Sequence, residues 1–424
     1  MASDGISVRC CIAGGGPAGL MLGFLLARAG IDVLVLEKHK DFLRDFRGDT
    51  IHPSTLEVMH ELRLAEELLK LPHEKVHSLA FHAGSETFPV ADFSHLPVRY
   101  PFIAIMPQWD FLNFIASKAG RYSGFNLLME VEATDLIERD GRVTGVTAKS
   151  PTGDFEIAAD LVVAADGRNS HLRALADLDL RELGAPMDVL WFRLSRVTAD
   201  PPDTTLRLGA GEFFVMINRS DYWQCGFVIP KGTADEVRRR GIDSFRSEVA
   251  KLAPFASDRV AELRDWEQIK LLTVSANRLV QWYRPGLLCI GDAAHAMSPV
   301  GGVGINLAIQ DAIAAANILS EPLREGGVNI EHLRQVQHRR ELPARITQIL
   351  QVFIQNRVLK PILRSKELAQ PPFLLRLLAR FPRLRRIPAY VVGIGFRPEH
   401  VRVETPRETS LPGRQRGRSS QKKA

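Results

Sequence analysis

The chain has 424 residues, 45% hydrophobic and 25% charged, enough to bury a large core and to divide into two lobes. No apolar run reaches the roughly 18 residues of a membrane-spanning helix, and the N-terminus enters a strand without the basic, apolar, small-residue pattern of a secretory leader. The formal net charge of +6 divides into +13 over residues 357–424 and −7 over the rest; no reading motif adjoins the basic part, which argues against a nucleic-acid enzyme. Cys10, Cys11, Cys225 and Cys289 show no C-x-x-C and no metal-ligand spacing. Three of them sit in apolar strand-like runs, so buried thiols in a reducing, cytoplasmic compartment are expected.

Taken in order, Val8–Ile12 reads as a short apolar strand, followed by Gly14-Gly15-Gly16-Pro17-Ala18-Gly19 and an apolar helix to Ala29. Gly30 closes that helix, and a strand from Ile31 to Leu36 ends on Glu37, with Lys38 behind it. This is G-x-G-x-x-G inside a β-α-β unit, with an acid about 20 residues on. The glycines allow a tight turn and close approach of a pyrophosphate, while Glu37 can accept from a ribose hydroxyl. The motif does not choose between FAD and NAD. A polar loop, Asp41–Ser54, carries Arg44, Arg47 and Asp49 and leads to a helix with an S-x-x-E capping box at Ser54. Strands are expected over Ser78–Val90 and Phe102–Met106, a helix from Gln108 to Ala119, and a strand over Asn126–Val131. A hairpin follows, turned at Asp140-Gly141. The apolar strand Leu161–Ala165 then ends on Asp166-Gly167.

Strands at Asp188–Ser195, Thr205–Leu208, Glu212–Asn218, Tyr222–Ile229 and Gln268–Ser275 suggest an antiparallel sheet. A helix over Thr233–Leu252, boxed by Thr233 and Glu236, interrupts it. Its candidate pocket-lining residues are Trp191, Arg193, Phe213, Met216, Tyr222 and Gln224. At Leu287–Ile290 another buried strand stops on Gly291-Asp292, then come His295, Pro299 and the glycines Gly301, Gly302 and Gly304. From Ile305 and Asn306 the apolar residues fall at helical spacing. Strand, carboxylate, glycine-rich turn and helix start together suit a large anionic or electron-accepting ring. Helices continue to Gln355, then Leu359–Ile394 alternates apolar triplets with arginine and proline. One piece, Pro372–Phe381, sets Phe373, Leu374, Leu377, Leu378 and Phe381 against Arg376 and Arg380. It suits packing on the dinucleotide-binding lobe, covering the entry route of an apolar substrate, or peripheral contact with an anionic membrane. From Pro406 the chain is polar and basic, and disorder is expected.

Gly14-x-Gly16-x-x-Gly19, then Asp166-Gly167 with Ser170 and Arg173, then Gly291-Asp292-Ala293-Ala294-His295 with Pro299 and Gly301-Gly302-x-Gly304-x-Asn306 occur in one order. On these motifs, which span Val8 to Ala316, the chain resembles the single-component FAD-dependent aromatic hydroxylases typified by 4-hydroxybenzoate hydroxylase. The resemblance implies an α/β plus antiparallel-β fold. A Rossmann-like, GR2-type FAD domain would be formed by 1–77, 107–182 and 278–356, and a sheet lobe by 78–106 and 183–277. A basic helical extension (357–400) and a disordered tail (401–424) would follow. It also implies roles for individual residues. Gly14 to Gly19 would hold the ADP diphosphate, Glu37 and Lys38 the adenine ribose side, and backbone at Val131 the adenine. Arg47 and Gln108 would reach the diphosphate–ribityl region. Asp166 and Gly167 would lie near the flavin, Gly291 and Asp292 at the ribityl chain, and Gly302, Gly304, Ile305 and Asn306 at the pyrimidine edge. Pro299 would shape the reactive side, with Arg47 and His295 as further catalytic candidates; for His295 a structural bond to backbone is the stronger expectation. The implied reaction consumes NADH or NADPH and molecular oxygen, and through a flavin C4a-hydroperoxide hydroxylates or epoxidises an aromatic or other electron-rich apolar molecule. The family's benzoate-binding residues find no counterparts here, which argues against a simple benzoate. Two alternatives stay open: a flavin-dependent reductase of isoprenoid double bonds, and a flavin-bound membrane-surface or partner-binding module without catalysis. A halogenase is disfavoured, because W-x-W-x-I-P is absent.

Overall fold

The computed structural model describes residues 5–43, 50–84, 86–365 and 373–403. β1 (Ile6–Ala13) leads into α1 (Pro17–Arg28) and back into β2 (Val33–Glu37). β1 lies between β2 and β11 (Gly153–Ala164); β8 (Phe125–Met129) continues the sheet past β2, and β20 (Leu287–Cys289) past β11, all parallel. Alternate residues feed two cores. Cys10, Ile12, Val33, Val35, Leu161 and Val163 face a layer containing α1, α4 (Gln108–Ala119) and α8 (Gly304–Glu325). Cys11, Ala13, Leu34, Leu36, Val162 and Ala164 face the hairpin β9 (Glu132–Arg139)–β10 (Arg142–Ser150) and α5 (His171–Leu175). Burial on both faces is why these strands read as near-continuous apolar runs. The hairpin turns at Asp140 and Gly141, both left-handed at φ 52° and 72°, as a two-residue turn requires. Short strands β12 (Leu180–Glu182) and β18 (Asn277–Leu279) form a ribbon, and β19 (Tyr283–Arg284) flanks β20. Ala13 stands beside both Leu36 and Ala164, and Ala164 beside Cys289. The carboxyl ends of four parallel strands therefore finish level, the edge at which open α/β sheets take ligands.

The second sheet has seven strands in the order β17 (Lys270–Leu272), β13 (Met187–Ser195), β16 (Tyr222–Pro230), β15 (Phe213–Asn218), β14 (Thr205–Leu208), β5 (Ser78–Ala83) and β6 (Glu86–Asp92). All neighbours are antiparallel except β14 and β5. β7 (Ile103–Ile105) pairs instead with β3 (Thr50–Ile51) and β4 (Glu74–Val76) in a small third sheet. One face of the seven-stranded sheet is sealed by α6 (Ala234–Arg239) and α7 (Ile242–Leu252). These two helices replace the single one expected, because Gly241 at φ 88° breaks the run. Thr233 does not close a capping box; its hydroxyl donates to the Pro230 carbonyl at 2.8 Å. Nor does Ser54. α2 (Pro53–Glu61) begins one residue earlier, with His52 at the cap and Pro53 at N1, a position proline favours; α3 (Ala65–Leu68) follows.

By length and composition α8 could cross a membrane, but 67% of its most apolar stretch is buried inside the protein; it is a core helix packed on α1. α9 (Ile330–Ile354) passes through a π turn at Gln355–Leu359 into α10 (Lys360–Arg364). Leu359, Ile362 and Leu363 close on the other face of the seven-stranded sheet, while α11 (Phe373–Arg380) and α12 (Arg386–Gly393) pack on β6. The basic extension thus covers the sheet lobe, whereas the sequence had suggested packing on the dinucleotide lobe. The chain then returns to the first lobe. Val401 donates its N–H to Glu61, Arg402 its N–H to Asn317, and the Arg28 guanidinium reaches the Val403 carbonyl at 2.8 Å. Val401–Val403, expected in a disordered tail, are therefore docked; residues 404–424 lie outside the described residues.

Candidate functional site: a cofactor cleft between two sheets

The glycines at the end of β1 have separate jobs. A Cβ on Gly14 would fall on the Ala165 carbonyl, and one on Gly19 on the Gly14 carbonyl. Both glycines let chain pack on chain. Around Gly16 a Cβ would meet nothing within 4 Å. Gly16 is also the cap of α1, no side chain caps that helix, and the first backbone bond into it is Leu20 N–H to Gly16 O. The amides of Ala18 and Gly19 therefore point, with the helix dipole, into the open side of the turn. A cradle that open fits a pyrophosphate.

The other expected residues gather along the same sheet edge. The Glu37 carboxylate is buried and accepts the N–H of Gly15 at 3.1 Å and of His39 at 3.0 Å. Lys38 lies in an exposed pair with Glu132, 3.2 Å away. Val131 is buried and spends its N–H on the Glu37 carbonyl. Gln108 is the half-buried first residue of α4. Arg47 lies outside the described residues. Asp166 caps α5 from a distance, accepting the N–H of His171 and Leu172, while its other oxygen is buried without a partner. Gly167 adopts φ 90° with open space beside it. Arg173 links this turn to the next, donating to the carbonyls of Arg168 and Ala293 at 2.8 and 2.9 Å. Gly291, at φ 59°, sits where a Cβ would lie 3.1 Å from Ala18 and 3.3 Å from Ala308. Three motifs, hundreds of residues apart in sequence, converge there. Asp292 has only a 3.5 Å pair with Arg168, both about a quarter exposed, a pair that holds it weakly.

Beyond Pro299 the chain makes one distorted turn, with Gly301 and Gly302 at positive φ, before α8 starts at Gly304. No side chain caps α8, and its first backbone bond is Leu307 N–H to Val303 O. The N–H groups of Gly304, Ile305 and Asn306 are left for another acceptor. The Asn306 side chain is already engaged: its Oδ1 accepts the His52 N–H and the Thr55 hydroxyl, and its Nδ2 donates to Thr50 O. Thr50 in turn donates its hydroxyl to Gly302 O. The helix start is thus tied to β3.

Val300 and Trp191 both pack against the cluster on the face of the seven-stranded sheet opposite α6 and α7, the face that Leu359, Ile362 and Leu363 also cover. That face is set by strand alternation. Trp191 and Arg193 on β13, Phe213 on β15, and Tyr222 and Gln224 on β16 all lie on it. Gln224 is paired opposite Arg193, whose guanidinium lies 4.9 Å from the Tyr222 ring centroid. Gly226 stands opposite Trp191, and a Cβ there would come within 2.9 Å of the indole. Met216 is corrected: alternation turns it to the sealed side, where it is wholly buried among Phe214, Trp223 and Cys225.

His295 is wholly buried, and its Nε2 lies 2.6 Å from Asp311 Oδ2, so its partner is a carboxylate and not backbone. Burial works to raise the Asp311 carboxyl, but His295 and Arg340 hold it below its ordinary value. Asp311 and Arg340 were not singled out from sequence; a lone acid inside the otherwise apolar run of α8 was the available signal. The four cysteines are buried and unpaired, burial pushing the Cys11 thiol up to about 12. Among the described residues no cluster of His, Cys, Asp and Glu suits a metal.

A family model described as "FAD binding domain" matches residues 7–349. The chain belongs to the FAD-binding domain family. It is 30% identical over 91% of its length, and 92% of the relative's, to the 6-methylpretetramide 4-monooxygenase of Streptomyces rimosus. The para-nitrophenol 4-monooxygenase of a Pseudomonas species is 23% identical, over 74% of this chain and 78% of that protein. Among solved structures, the p-nitrophenol 4-monooxygenase of Pseudomonas putida superposes with a TM-score of 0.73 at 19% identity, over 91% and 96% of the two chains, which speaks to the fold. The protein is an FAD-dependent monooxygenase, an oxidoreductase acting on a small molecule with oxygen.

Proposed function

We propose that this monooxygenase hydroxylates a fused-ring aromatic polyketide, held between the Pro299–Val300 turn and the part of the seven-stranded sheet that carries Trp191 and Arg193. The observation that carries this reading is near full-length similarity to an enzyme named for 6-methylpretetramide. It is joined by a pocket face on which an indole lies over glycine and an arginine over tyrosine, surfaces that suit a flat, oxygenated ring system. In this reading Gly14–Gly19 hold the FAD pyrophosphate at the start of α1. Glu37, with Lys38 beside it, meets the adenine ribose, and backbone at Val131 the adenine. Gln108 and Arg47 reach toward the diphosphate and ribityl chain, and Asp166 and Gly167 border the flavin. Asp292 accepts from ribityl hydroxyls beside Gly291. The free N–H groups of Gly304 to Asn306, behind Gly302, favour negative charge at the pyrimidine edge of the ring. The Pro299 carbonyl shapes the substrate side. Bound FAD supplies the redox chemistry, taking a hydride from NADH or NADPH and activating oxygen. The sheet face excludes water from that side. Buried thiols fit a reducing, cytoplasmic setting.

The test is a substrate panel of fused-ring polyketides, prenylated quinones and simple phenolic acids, scored by oxygen uptake, NAD(P)H oxidation and product mass. Oxygen uptake coupled to a singly oxygenated fused-ring product is expected. Turnover of phenolic acids alone would overturn the substrate assignment, and a hydrogenated isoprenoid without oxygen uptake would move the enzyme to the reductases.

A second reading concerns the C-terminal surface. Leu375 and Leu378 of α11 are buried, but Phe373, Phe381 and Ile387 are 72%, 52% and 62% exposed beside exposed Arg376, Arg380, Arg383 and Arg386. We infer peripheral contact with an anionic bilayer, since apolar side chains interleaved with unpaired arginines suit such a surface. Co-sedimentation of the intact enzyme with phosphatidylglycerol vesicles, lost in Phe373→Ser/Phe381→Ser, is the expected result. No sedimentation, or equal binding to phosphatidylcholine, ends the idea.

A further inference from the structure

A buried polar network joins the Gly291–Asp292 turn to the returning C-terminal segment, and nothing in the reading above uses it. Its centre is Asp311, fully buried on α8. Held ionised, its carboxylate can only accept. Oδ2 receives the Gly291 N–H at 3.1 Å and Nε2–H of His295 at 2.6 Å; Oδ1 receives Nε–H of Arg340 at 3.0 Å. Arg340, 1% exposed, also reaches Glu399 Oε1 at 3.3 Å. Glu399 is buried too, held by Arg339 at 2.6 and 3.1 Å and by its own N–H donating to Gln310. The charges balance, two carboxylates against two guanidinium groups.

Such a cluster is a poor way to gain stability, because desolvation offsets most of the attraction and apolar replacements often do as well. What it does here is geometric. Gly291 is left-handed and pinned between Ala18 and Ala308, and Asp311 fixes the remaining freedom by fixing where its N–H points. The peptide so fixed joins Ile290 to Gly291, one residue before Asp292, and sets where the turn that carries Asp292 begins. We propose that Asp311 is a positioning residue for the cofactor turn, held in place by Arg340 and, through it, by Glu399 of the C-terminal segment. The segment after α12 is thereby part of what keeps the flavin bound. This rests on the assignment of the Gly291–Asp292 turn to the ribityl chain.

Asparagine at 311 keeps the shape but replaces one acceptor oxygen by a donor. It must either face its NH₂ to Arg340 or give up the Gly291 N–H, His295 then keeping contact only by switching tautomer. Full-length Asp311→Asn, Glu399→Gln and Asp292→Ala are stripped of flavin and titrated with FAD, and the apoprotein melting temperature and visible circular dichroism of the bound flavin are recorded. Asp311→Asn is expected to raise the FAD dissociation constant about tenfold or more, the scale of one charged hydrogen bond, and to change the flavin dichroism. Glu399→Gln should raise it about threefold with the apoprotein melting temperature little changed. A folded Asp311→Asn with wild-type affinity and dichroism overturns the proposal, as does a fall in melting temperature alone. If Asp311→Asn does not fold, Glu399→Gln decides, and wild-type affinity there overturns it. Asp292→Ala with unchanged affinity instead overturns the assignment of the turn.

Discussion

At Gly16 and Gly19 the same residue type answers to different demands, and substitution separates them. A Cβ at Gly19 falls on the Gly14 carbonyl, while the space beside Gly16 is empty. Gly16→Val should therefore give a folded apoprotein, with a melting temperature close to that of flavin-free wild type, that purifies colourless and takes up no added FAD. Gly19→Val should lose the fold, leaving no soluble protein to titrate. A yellow Gly16→Val enzyme would show that the pyrophosphate lies elsewhere. The motif was legible because glycine is demanded by the backbone itself, and a backbone demand leaves a local trace in sequence. The side-chain partners were less legible. The backbone N–H of Asn306 was the group expected at the ring; its side-chain amide holds His52, Thr50 and Thr55, more than 250 residues away. No local pattern carries a partner at that separation, whereas the capping box at Ser54 was misplaced for a local reason, Pro53 taking the first helical position.

At the level of strands, alternation carried most of the information. β13 and β16 each present one apolar set to α6 and α7 and another to the opposite face, and five of six pocket candidates share that opposite face by register alone. Met216 missed because it lies three residues from Phe213 on β15, and strand alternation puts two such positions on opposite faces. The opposition of Gly226 and Trp191 could not be read, since pairing between strands is a tertiary fact. It leads to a paired expectation. Trp191→Ala should leave flavin content and dissociation constant unchanged while lowering kcat/KM for a fused-ring substrate about tenfold or more, the loss of one stacked ring and its packing. Gly226→Val, which pushes the indole out of place without removing it, should raise KM with a smaller fall in kcat. If both variants instead lower the melting temperature and leave kcat/KM intact, Trp191 is sheet core and the substrate lies elsewhere on the lobe.

Across the whole molecule, the lobes meet where the small third sheet approaches the tip of the seven-stranded one, and a carboxylate is trapped at the seam. Glu74 of β4 accepts from the Thr204 hydroxyl at 3.3 Å, and Thr204 also accepts the N–H of Asn218. Burial pushes the Glu74 carboxyl up to about 7, with Asp203 adding to the rise and Thr204 and Arg219 opposing it. A carboxyl raised in the folded state holds its proton longer there than in the unfolded chain. Its favourable share of folding is therefore complete below the unfolded value near 4.3 and is lost as pH climbs through about 7. Glu74→Gln removes that dependence while keeping the shape and a hydrogen-bonding partner for Thr204. The variant should match wild type in melting temperature below about pH 4, exceed it progressively from about pH 4.5 to 7, and hold a constant advantage above about pH 8. A flat difference across that range, or one that grows toward acid, would mean that Glu74 is ionised throughout and that the seam between the lobes is wet.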